Sequence, residues 1–139
     1  MNKIITSVVL IVFACLFIKC VNCDDCTGNG NYKTKATISF INETSSNIKS
    51  IGCDREIAPG TTFKLEIEET LGTKPNIDNF PVSIFTNCSM AYTDGSNLKC
   101  EDGIRNIENY IDRKEISPSI FEFTFKFTEE KKSVANICN

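Results

Sequence analysis

The chain has 139 residues, eight cysteines, no histidine, no tryptophan and a formal net charge of −3. That length fits one domain once a leader is removed. The missing histidine excludes Ser-His-Asp and Cys-His nucleophile activation and His-ligated zinc. The acidic balance leaves no basic footprint for nucleic acid, since Lys131-Lys132 is too short to form a patch and follows Glu129-Glu130.

Met1-Asn2-Lys3 gives a short positive start, and Ile4 to Ile18 is apolar apart from Thr6 and Ser7. An apolar run of about 15 residues matches a signal peptide, whereas a spanning helix needs roughly 20. Val21-Asn22-Cys23 places small residues where a signal peptidase reads. The expectation is a signal peptide over 1–23 and a single secreted, extracellular β domain over 24–139, with no membrane span in the mature chain. Cleavage after Cys23 leaves Cys26, Cys53, Cys88, Cys100 and Cys138, whereas cleavage after Cys20 also keeps Cys23 and makes the count even. Exported cysteines read as disulfides, and spacing alone does not pair them.

Thr34 to Ile41 alternates, with Ala36, Ile38 and Phe40 on one face and Thr37 and Ser39 on the other, the period of a half-buried strand. Asn42 to Asn47 is a polar turn, and Ile48 and Ile51 resume an extended segment. Ala58-Pro59-Gly60 is a sharp turn, because proline fixes φ and glycine permits φ > 0. Phe63, Leu65 and Ile67 then alternate with Lys64, Glu66 and Glu68 in a second strand. Gly72 to Asn76 opens a loop. Pro81 to Thr86, apolar on both faces, reads as a more central strand.

Between Cys88 and Cys100, Asp94-Gly95-Ser96-Asn97 marks a hairpin-like turn, which suggests a Cys88–Cys100 disulfide across it. Ile104, Ile107 and Ile111 stand at i, i+3 and i+7, predicting a helix over about 103–114 with Asp102 as its cap and Pro118 forbidding its extension. Phe121, Phe123, Phe125 and Phe127 alternate with Glu122, Thr124, Lys126 and Thr128, the clearest core strand in the chain. Glu129 to Lys132 reads as a charged turn and Val134 to Cys138 as a terminal strand. The predicted fold is mainly β: an antiparallel immunoglobulin-like β-sandwich with one short helix, stapled by disulfides.

Asn42-Glu43-Thr44 and Asn87-Cys88-Ser89 are N-glycosylation sequons, with Asn42 and Asn87 as acceptors in an exported chain. Carboxylate-pair hydrolysis needs no histidine. Its formal candidates, Glu66 with Glu68 and Asp94 with Asp102, sit on a strand's polar face and beside turn glycines, where solvated charge is the ordinary reading. No EF-hand spacing or phosphate-binding glycine loop occurs. No catalytic residue, metal or cofactor is expected.

Ala36 to Thr44, then Ile48-Lys49-Ser50-Ile51, then Ile57 to Phe63 resembles secreted carbohydrate-binding modules of the cellulose-binding type, module family 49. The resemblance spans residues 34–69. It implies a β-sandwich that binds extracellular polysaccharide or glycoprotein. Such modules stack sugars on aromatic rings, and without tryptophan that role falls on Tyr32, Tyr92 and Tyr110. The sequence expectation is therefore a secreted, non-enzymatic binding module for a polysaccharide or a protein partner. The alternatives are a structural or interaction protein of the cell surface or matrix, and a secreted inhibitor or effector.

Overall fold

A computed structural model describes residues 30–86 and 88–138. The leader, Cys26 and Asn87 lie outside the described residues. Two sheets are formed. In the first, β4 (Thr62–Leu71), β1 (Tyr32–Asn42), β8 (Ile120–Phe127) and β7 (Asp112–Ser117) lie in that order. In the second, the order is β3 (Arg55–Ile57), β2 (Ile48–Ile51), β5 (Ser89–Asp94), β6 (Asn97–Cys100) and β9 (Asn136–Ile137).

The alternation read in β1 and β8 is realised as burial. Ala36, Ile38 and Phe40 on β1 and Phe121, Phe123, Phe125 and Phe127 on β8 are all at most 2% exposed. Tyr92 of β5 meets Phe127 of β8 edge-on at 5.8 Å, joining the two sheets through their cores. Phe80 packs at 4.6–4.8 Å from Phe85, Phe121 and Phe123. Tilted and edge-on ring pairs of this kind add to the gain from burial itself.

One pairing departs from an all-antiparallel sandwich. β1 and β8 run parallel, with Lys35 level with Ile120 and Asn42 with Phe127. Parallel neighbours need a long connection, and here most of the domain supplies it.

Three segments adopt other local structure than their patterns predict. Residues 81–86 form a short helix, α1 (Val82–Phe85), instead of a central strand. Val82 and Phe85 are both buried at i, i+3, Ile84 is 45% exposed, and the Thr86 backbone N–H and hydroxyl both donate to the Val82 carbonyl. So short an apolar run carries no period that separates strand from helix. The predicted helix over 103–114 is replaced by two 3₁₀ turns, Asp102–Arg105 and Ile107–Asn109, followed by β7. Asn106 is extended between them, and its side chain accepts from the Glu108 N–H, capping the second turn and breaking the first. Such side-chain bonds compete with a continuous helix. Ile104 and Ile107 keep the buried stripe, while Ile111 is 57% exposed.

The charged run after β8 is likewise a short helix, α2 (Glu129–Val134), capped by the Thr128 hydroxyl. Lys131 seats it, donating to the Lys126 carbonyl at 2.9 Å and lying 3.8 Å over the Phe125 ring.

The cysteine pairs are Cys53–Cys88 and Cys100–Cys138, with Cα separations of 5.9 and 5.0 Å. The Cys88–Cys100 pairing is excluded by register. The β5–β6 hairpin turns tightly at Gly95 (φ +62), which sets Cys100 opposite Ala91. Cys88 lies three residues farther along, about 10 Å at the strand rise. No helix among the described residues is long and apolar enough to cross a membrane.

Candidate ligand cleft

The residues singled out as a glycan platform are not one. Tyr92 is fully buried and Tyr110 is 3% exposed. Tyr92 Oη donates to the Glu101 carboxylate, and Tyr110 Oη donates to the Ile104 carbonyl at 2.7 Å. Burial drives both phenols well above their ordinary pKa, and for Tyr92 the Glu101 carboxylate adds to the effect. Both rings are core residues whose hydroxyls have found acceptors, a part-buried carboxylate for Tyr92 and a buried carbonyl for Tyr110. Tyr32 is half-buried and packs on the same core. A sugar cannot stack on Tyr92 or Tyr110, which are sealed in the core, and Tyr32 alone is no platform.

Asn42 is also withdrawn from the surface. Its Nδ2 donates to the Ser46 and Ile57 carbonyls at 2.8 and 2.9 Å, and its Oδ1 accepts from the Thr44 N–H and hydroxyl at 3.0 and 2.7 Å. The sequon's asparagine and threonine thus close the turn after β1 instead of presenting an amide, and a fully buried Nδ2 has no room for a glycan.

The carboxylates considered as acid–base pairs stay apart from any enclosed site. Glu66 and Glu68 are exposed on the outer face of β4. Asp94 pairs with Lys99 at 3.0 Å, and hydrogen bonding and charge from Lys99 hold its carboxyl below the usual range. Asp102 is exposed at the start of the first 3₁₀ turn. Among the described residues, no three acidic or cysteine side chains gather as a metal site.

The structure instead opens a cleft that periodicity did not reveal. Ala36, Ile38 and Phe40 on β1 are sealed, and Ile67, Leu65 and Phe63 stand directly across from them on β4. Residues opposite in an antiparallel pair project from the same face. These three point inward yet stay half-exposed, so the second sheet does not cover β4 as it covers β1. The space they overlook is a cleft of about 400 Å³, within the usual range for small-molecule sites.

The far wall comes from one row of the second sheet. Register sets Arg55 opposite Ser50 and Ser50 opposite Met90 across β3, β2 and β5, and all three line the cleft. The Cys53–Cys88 pair closes one side by tying the tip of the β2–β3 hairpin to the segment before β5. Phe40 and Phe85, both fully buried, back the cleft from beneath its surface. The Arg55 guanidinium lies 5.0 Å above the Phe63 ring, and Arg55 is the one charged residue in the lining. Ser50 Oγ is shut from solvent with no hydrogen-bond partner. An unpaired buried hydroxyl costs on the order of 1–3 kcal/mol.

Comparison with protein-family models, curated proteins and solved structures finds no match.

Proposed function

We propose that the chain is a secreted, non-catalytic binding module whose ligand seat is the cleft between β4 and the β2–β3 hairpin. One observation carries this reading: Phe63, Leu65 and Ile67 face inward over open space while their partners on β1 are sealed. Leaving three large apolar side chains partly wet forgoes burial worth about 2 kcal/mol each when complete. A ligand that covers them recovers part of that energy. Export is supported by the apolar leader and by two cysteine pairs, which persist in oxidising compartments. The ligand class shifts from stacked glycan to a molecule with an apolar body, because Tyr92 and Tyr110 are spent on the core.

The test uses Nile red, a neutral dye that brightens in apolar surroundings. The native protein should bind one dye per chain. Leu65→Trp, which fills the cleft, should reduce that binding at least tenfold without lowering the melting temperature by more than a few degrees. Dye binding that ignores the substitution, or no binding by the wild type, would reject the cleft as the seat.

A further inference from the structure

Two polar side chains of the cleft lining are cross-strand neighbours. Ser50 and Arg55 are register partners across β2 and β3, so their side chains project from the same face of the hairpin, side by side. Ser50 Oγ is the only buried side-chain nitrogen or oxygen among the described residues without a hydrogen-bond partner. Arg55 enters no ion pair among those residues: the cations that do are Lys35, Lys99, Lys114, Lys126 and Lys132. The nearby Glu56 carboxylate accepts from the Asn47 side chain, and the lining contains no carboxylate. An unpaired guanidinium, lying over the Phe63 ring, thus shares a hairpin face with an unspent hydroxyl donor, and Leu65, Ile67 and Met90 add apolar lining.

We infer that the cleft binds a single-chain amphipathic carboxylate, its headgroup held by Arg55 and Ser50 and its hydrocarbon tail lying against β4. This rests on the cleft being the ligand seat. A guanidinium matches a planar carboxylate with two parallel N–H···O bonds. Turned about its Cα–Cβ bond toward the cleft, the Ser50 hydroxyl adds a third donor, which relieves its own unpaired state. One positive charge with no acid beside it in the lining suits a monoanion, and the apolar remainder of the walls suits an unbranched tail.

Calorimetric titration of the mature, disulfide-intact protein with decanoate, decanol and butyrate separates these contributions. Decanoate should bind at one per chain, about tenfold or more tighter than decanol, a difference that one charge-assisted headgroup contact supplies. Butyrate, having the headgroup without the tail, should not bind measurably. Arg55→Gln should erase the preference for decanoate and leave decanol affinity within twofold. Ser50→Ala should weaken decanoate severalfold while leaving the melting temperature of the free protein unchanged or raised, because an orphaned hydroxyl is removed.

If decanoate and decanol bind equally and Arg55→Gln changes neither, the headgroup assignment fails while the cleft stands. If neither binds but Nile red does and is displaced by Leu65→Trp, the ligand class is again wrong and the seat survives. Decanoate binding untouched by Leu65→Trp places the ligand elsewhere and overturns the inference. A concentration-dependent dimer that excludes both dye and decanoate would assign the cleft to a second copy of the chain and overturn it equally.

Discussion

Asn42 shows how one side chain can be read correctly as chemistry and wrongly as purpose. The Asn-Glu-Thr triplet has the composition of a glycan acceptor, and the same groups satisfy an internal turn. Four hydrogen bonds from one buried amide join β1, the following turn and the end of β3. Replacing it by alanine leaves the Ser46 and Ile57 carbonyls without these donors. Asn42→Ala should therefore cost about 3 kcal/mol, read as a lower midpoint in denaturant with an unchanged slope. A loss under half that size would mean water replaces the amide. The tyrosines teach the same lesson. Composition announced aromatic rings with polar tips, but only the fold decides whether the tip meets solvent or a buried carbonyl.

Among the elements, those with a clean two-residue period were legible. β1, β4 and β8 follow their alternation, as do the turns at Ala58-Pro59-Gly60 and Gly95, where glycine takes positive φ. Illegible were the segments whose pattern was short or divided by a capping side chain: Val82–Phe85, and the two turns either side of Asn106. The cleft was half legible. Alternation announced that Phe63, Leu65 and Ile67 share a face, but whether another sheet covers that face is a long-range property that no local period encodes. The turn joining β7 to β8 carries a prediction of its own. Ser119 sits at φ +63 after Pro118, a position that favours glycine in a proline-led turn. The left-handed region costs a non-glycine residue about 1 kcal/mol. Ser119→Gly should raise the melting temperature by a few degrees, partly offset by the added freedom of the unfolded chain. A lower melting temperature would show that the serine side chain outweighs its backbone strain.

At the scale of the whole molecule, the core is keyed by phenols that resist ionisation in place. Tyr92 and Tyr110 have folded-state pKa values raised above the ordinary 10.0. The unfolded chain therefore releases these protons first as pH rises, so stability is intact below pH 10 and declines above it. Each such phenol steepens the decline by up to about 1.4 kcal/mol per pH unit. Phenolate absorbance from these two residues should grow together with loss of the β-sheet circular dichroism signal. Ionisation of both with the sheet signal unchanged would contradict their burial. Lys131 works in the opposite direction. Burial pushes its ammonium below its usual range, so its contribution improves as pH climbs from the lowered value toward 10.5. The two phenols outnumber it, and the net trend is alkaline loss.

The parallel union of β1 with β8 also governs when this protein can come into being. Lys35 must wait for Ile120, so on a ribosome the first strand leaves the tunnel long before its neighbour has been made. Until then β1 can join only β4, and its other edge is open to any passing extended chain. A translation product halted before the phenylalanine strand would therefore be an adhesive fragment instead of a smaller working domain.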